Sequence, residues 1–366
     1  LYSNLPYGTY SKMSLSGHNQ VDTSGANQRE SATLPWKHLK IVRRDDIPIR
    51  SGLNIAIVIF VISMGLLLLW LASNLASWGW TLVFGVLFSY LMLTNYALMH
   101  EAIHQNLQSD LKHNYLLGVI TSMFFPVSFT LVQVTHQGHH YRNRSDAEIF
   151  DQYYPGFWSK VLAYCQWYGT LIGLFYVLVV LTTVLAAIIP GITKNKLLTS
   201  KNLGNGNLAD ITPSDLWRIR LEVILVVAFW SAMIWTLTLE PLVVLAMFLM
   251  AGFNWSTRQY IAHAYSDRDV LDGAFNLKHN KLMSAVLLNG EWDLVHHRFP
   301  DVPWTSLPEF GEHNESRISY IRQYFRMWGG PVPVTQPEPD IWNTEQMVNH
   351  LQQLKLQMKQ PTILED

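Results

Sequence analysis

Residues 53–71 read LNIAIVIFVISMGLLLLWL, without one charged side chain. At 1.5 Å per residue a helix of this length crosses the roughly 30 Å hydrocarbon core of a bilayer. A second stretch of the same kind, TLVFGVLFSYLMLTNYALM, occupies residues 81–99 after the short uncharged link ASNLASWGW. Lys37, Lys40, Arg43, Arg44 and Arg50 precede the first stretch. Basic residues flanking a span stay on the cytoplasmic side, so the pair predicts a helical hairpin with both ends cytoplasmic. The second helix runs directly into His100 and His104 of HEAIH.

The composition agrees with a membrane chain. Of 366 residues 49% are hydrophobic and 14% charged, where a soluble domain carries roughly 25% charged residues. Fourteen Trp and sixteen Tyr suit the aromatic belts at the membrane–water boundary. A net charge of -1 gives no basic surface for nucleic acid. The single cysteine, Cys165, excludes an internal disulfide and any multi-cysteine metal site.

Farther along, residues 114–134 are apolar but broken by Pro126, and both ends must stay cytoplasmic; a re-entrant or interfacial helix fits. Two more apolar blocks follow, 161–190 and 221–253, the second interrupted by Glu240-Pro241. Two arrangements return the chain to the cytoplasm. In one, block 161–190 crosses outward and 221–253 returns as a long helix kinked at Pro241. In the other, Glu240-Pro241 is an outside turn between two spans and 161–190 dips in without crossing; Lys194, Lys196, Lys201, Arg218 and Arg220 then lie in a cytoplasmic linker. Either way the expected fold is an all-α integral membrane helical bundle of about four transmembrane helices, with a cytosolic cap. The expected boundaries are a mobile N-terminal tail (1–35), a membrane domain (36–310) and a C-terminal cytosolic extension (311–366) with a polar helix near residues 344–360.

Eight of the fourteen histidines gather in three clusters and one single: His100 and His104; His136, His139 and His140 in HQGHH; His296 and His297 in DLVHH; and His263 in YIAHAYSD. Spacings of three and four put side chains on one helix face. Eight imidazoles exceed the three protein ligands of a catalytic zinc, so two metals are the simpler account. Imidazole suits iron, zinc and copper alike and does not by itself choose among them. HEAIH also matches HExxH, in which a Glu serves a zinc protease as base, with Leu271-Asp272-Gly273 as a candidate third-ligand segment. That reading leaves HQGHH and VHH unexplained. An ion or metal transporter would instead spread its histidines through the spans at several depths.

Taken in order and at these membrane positions, the three histidine boxes resemble the integral-membrane fatty acid desaturase and hydroxylase superfamily, over about residues 53–307. The resemblance implies two iron ions ligated by His100, His104, His136, His139, His140, His296 and His297, with His263 as a further ligand. It implies O2 as co-substrate and a fatty acid or acyl chain as substrate, with desaturation, hydroxylation or decarboxylation to a terminal alkene as outcome. The family's third box is usually led by His or Gln where this chain has Asp293. Three roles stay open there: an iron ligand, an acceptor holding a ligand imidazole by its free N–H, or a helix cap. Glu101, Asp146, Glu148, Asp267 and Glu291 are candidate carboxylate partners for the imidazoles. Glu101 and Asp293 are the candidate catalytic acids. With no HPGG haem motif, cysteine set or Gly-rich dinucleotide fingerprint, a separate ferredoxin- or cytochrome-type donor is implied, docked by Arg142, Arg144 and Arg298. Met92, Tyr96 and Met99 read as packing; Asn254 and Gln259 as caps, helix-to-helix bonds or holders of a metal-bound water; His18, His38, His113, His279, His313 and His350 as surface residues.

Overall fold

At membrane depth every backbone donor and acceptor must find a partner inside the protein, which confines spanning segments to helices. The computed structural model describes residues 47–75, 77–189, 191–192, 210–278, 280–311 and 317–342, with 346, 349–350 and 352–353. Helices α1 (Ser51–Asn74) and α2 (Trp78–Ile103) form the expected hairpin and pack along each other. Gly65 of α1 leaves room there for Phe88 and Phe124.

Next come α3 (Leu111–Phe124) and α4 (Phe129–Arg142), bent by 101° about Phe125–Ser128, where Pro126 ends the first helix. The bend falls in the segment expected to be a re-entrant or interfacial helix, and its helix ends are satisfied by side chains. Asn95 donates to the Thr121 carbonyl and Trp230 to that of Met123; Ser128 caps α4 through the Leu131 N–H. Glu222 accepts from the Tyr115 hydroxyl (2.8 Å), the Thr130 N–H (2.9 Å) and hydroxyl (2.7 Å), and the Ser128 hydroxyl. A buried carboxylate among apolar helices is costly unless so supplied with donors.

Block 161–190 is not one helix. It is α5 (Phe157–Leu171) and α6 (Leu174–Ile188), bent by 90° at Gly173. Gly173 holds φ +98, and a Cβ there would meet the Phe253 backbone at 3.1 Å, so glycine makes the corner and the close approach together. Block 221–253 is likewise divided into α7 (Pro213–Thr236) and α8 (Pro241–Ser256), with Glu240 as the residue before α8. The long helix kinked at Pro241 is therefore absent, because Thr238 takes φ +50 and breaks the helix first. Of the linker cations, Arg220 bonds the Ala187 carbonyl and Arg218 pairs with Asp215; Lys194, Lys196 and Lys201 lie outside the described residues.

By length and composition α1, α2 and α7 can cross a membrane, and α8 is apolar but shorter. Their outward faces carry Ile59, Phe60, Leu82, Ile224, Val227 and Leu245 exposed, as lipid-facing residues are. The protein is an all-α membrane bundle. The rest is small: β1 (Gln152–Tyr153) pairs in parallel with β4 (Val332–Pro333), and β2 (Leu277–Lys278) with β3 (Ile318–Ser319). Between them lie α9 (Lys281–Val286), α10 (Asp293–Arg298) and α11 (Tyr320–Met327). α11 is held against the bundle by Gln323, which donates to the Ala264 carbonyl, and by Trp167, which donates to that of Met327. The N-terminal tail lies outside the described residues, as does most of the 344–360 segment.

Candidate metal centre

Four chain segments bring the eight histidines together: the end of α2, the last turns of α4, the turns after α8, and α10. The ligand atoms of His100, His104, His136 and His296 all lie within 4.8 Å of one another, and so do those of His139, His263 and His297. His140 stands between the groups. Its Nε2 is 3.2 Å from Nε2 of both His136 and His296, and its ring centroid is 4.5 Å from that of His297.

This crowding suits metal ions. A neutral imidazole carries one N–H and one lone pair, yet Nε2 of His136 lies 2.9 Å from Nε2 of His104 as well as 3.2 Å from that of His140. Chained contacts of this kind cannot all be hydrogen bonds, whereas cations accept every lone pair. Nδ1 of His140 and of His297 and Oδ2 of Asp293 are buried without a hydrogen-bond partner. Burial, foremost, holds His263, His296 and His297 well below the usual imidazole range, in the neutral form that binds metals.

Two of the histidines are turned by partners on their far nitrogens. Nδ1 of His139 lies 3.3 Å from Glu148 Oε2, and Nδ1 of His263 lies 3.0 Å from the Gly273 carbonyl. Asp293, the first residue of α10, puts Oδ2 3.1 Å from His263 Nε2 and 3.8 Å from His297 Nε2. It borders the second group at its inward-facing nitrogens. Burial pushes its carboxyl up to about 7, against the opposing pull of His139.

The other acids divide. Glu101 is buried, 4.0 Å from His100 Nδ1, and accepts from the Trp304 N–H at 3.0 Å, tying α2 to the loop after α10. Glu291 bonds the Ser284 hydroxyl, Asp146 pairs with Arg268 at 2.6 Å and Asp267 accepts from Gln336; none of these three bonds is to an imidazole. Asp272, the acid of the LDG segment, points instead to Arg298 at 2.8 Å and its side chain is largely exposed. The protease reading loses its third ligand there.

Arg144 corrects an expectation. Fully buried, it makes a two-pronged pair with Asp151 (2.7 and 3.1 Å) and donates to the Ser266 carbonyl and the Tyr260 hydroxyl. It joins the loop after α4 to the turns carrying His263, so it is no docking residue. Arg142 pairs with Asp210 and Arg298 with Asp272 at the surface. His113 is exposed beside Asp110, and His350 packs on Trp342; His279 and His313 are outside the described residues.

A cavity of about 630 Å³ opens against both groups. Leu93, Phe125, Leu131, Leu174, Phe175 and Val179 form its apolar wall. Tyr96 and Met99, expected as packing, also line it, whereas Met92 stays in the core. Its residues come from α2, α4, α5, α6, α8, α10 and α11 and the turns between them, so no one segment announces it. Asn254 makes the helix-to-helix bond that was one of its three readings, to Ser89 at 2.9 Å.

A comparison with curated proteins finds no match. The model of a family described as fatty acid desaturase matches residues 75–328, which run from the end of α1 to just past α11. The matched stretch contains all eight clustered histidines and exceeds half the chain, so the protein belongs to the fatty acid desaturase family.

Proposed function

We propose that this protein is an oxygen-dependent oxidoreductase that oxidises a C–H bond of a fatty acid or acyl chain at two iron ions. The observation carrying this reading is the placement of two imidazole groups in the wall of one apolar cavity, inside a membrane protein of the desaturase family. His100, His104, His136 and His296 would hold one iron; His139, His263 and His297 would hold the other, with Asp293 as its carboxylate and His140 between the two. Iron supplies the redox chemistry that dioxygen reduction and cleavage of an unactivated C–H bond require, and that zinc lacks.

The chain's own residues do the positioning. Glu148 and the Gly273 carbonyl engage the far nitrogens of His139 and His263, which fixes both rings with Nε2 inward. The cavity wall excludes water and holds an aliphatic chain beside the imidazoles. Its placement decides the product, whether an alkene, an alcohol or a terminal alkene, since small displacements redirect such reactions. Electrons come from a separate ferredoxin- or cytochrome-type carrier at the cytoplasmic side, the side to which the cations ahead of α1 assign the histidine end.

Purified protein is expected to hold about two irons per chain, and His139→Ala about one. Cells expressing it, supplied with fatty acids of different lengths, are expected to yield new alkenes or alcohols by mass spectrometry. One zinc per chain together with peptide cleavage would sink the proposal.

A further inference from the structure

Among the described residues lining the cavity, Arg258 is the one Arg or Lys. It follows α8, and its orientation is built. Ser89 of α2 accepts from the Asn254 amide at 2.9 Å; the Asn254 carbonyl oxygen in turn accepts from Arg258 Nε at 2.9 Å. Arg258 Nη1 donates to the Tyr320 hydroxyl at 3.2 Å, and the guanidinium lies over the Tyr90 and Tyr320 rings at 5.7 and 5.6 Å. Among the described residues no carboxylate pairs with it and none bonds Nη2. A guanidinium held this firmly, beside an apolar cavity and without an internal anion, presents the donor geometry that matches an oxyanion.

We infer that Arg258 binds the anionic headgroup of the lipid whose aliphatic chain fills the cavity. This deepens the proposed function and rests on it. The ligand class is a single long chain ending in a carboxylate or phosphate, as in a free fatty acid or a lysophospholipid. Tyr90, which the guanidinium covers, and His100 of the first imidazole group are ten residues apart on α2, about 15 Å along its axis. The head is thus held on the Tyr90 side of the cavity, and the reach from Arg258 to the imidazoles sets which carbon of the chain is presented to them.

The test is equilibrium binding to the purified full chain in detergent, using palmitate, its neutral methyl ester and lysophosphatidic acid as competitors of one fluorescent fatty acid. The wild type is expected to prefer the charged ligands over the ester. Arg258→Gln is expected to weaken them about 10- to 100-fold while leaving the ester unchanged, which also shows that the cavity is intact; Arg258→Lys should fall between. A preference for palmitate assigns the carboxylate and one for lysophosphatidic acid the phosphate, and either supports the inference. Equal affinity of the wild type for palmitate and its ester, or unchanged palmitate binding in Arg258→Gln, would overturn it while the acyl cavity stands. Failure of all three ligands to compete, in a protein that holds its metal, would overturn the acyl-chain reading and this inference with it.

Discussion

Asp293 is the position where the chain departs from the family pattern, and its carboxylate sits at the nitrogens that define the second imidazole group. If it is a ligand, Asp293→Asn should lower metal affinity at that group alone, by about 10- to 100-fold, with the first group still loaded. Metal analysis against a graded chelator reads this directly, and equal loss from both groups would refute it. Glu148→Gln should act on the same group through His139. At this scale the gathering of the eight histidines was legible, because helical spacing puts each cluster on one face. Their partners were only half legible. Glu148 meets His139, but Asp146 and Asp267 are spent on Arg268 and Gln336, and the Gly273 carbonyl has no side-chain signature at all. Arg144 was misread because a cation in a polar loop looks solvated until the opposing Asp151 is known.

Among the elements, the α3–α4 bend depends on a residue from another helix. Glu222 collects four hydrogen bonds from three side chains and one backbone N–H around that turn. Glu222→Leu leaves those donors buried and unpaired and should cost roughly 3 kcal/mol or more of stability, read by thermal unfolding in detergent. Glu222→Gln keeps acceptor capacity and should cost less; equal losses would show that the charge, not the bonding, matters. Pro126 and the matching sidedness of its flanks made the bend readable from sequence. The corner at Gly173 was not, since one glycine in an apolar block equally suits a continuous helix, and the close Phe253 backbone that demands it comes from α8. The choice between a kink and a turn at Pro241 also needed Thr238, whose positive φ no local pattern announces.

For the whole molecule, the arrangement puts Glu240 and the imidazoles at opposite ends of the bundle. In a Cys165→Ser background, Glu240→Cys should react with an impermeant maleimide added to intact cells, and Arg298→Cys only after permeabilisation. Labelling of both from one side would refute the topology. The all-α bundle was legible because long uncharged runs have one stable form in lipid; the cavity was not, because its walls come from seven helices scattered along the chain. Both imidazole groups take members from distant parts of the chain, and each is closed by α10, through His296 and His297. During synthesis, therefore, neither group is complete until α10 has left the ribosome, after α1, α2, α7 and α8 have all been made. A nascent chain holds only partial sets of imidazoles, so under the proposed function metal loading would be a late step of biogenesis that follows insertion rather than guiding it.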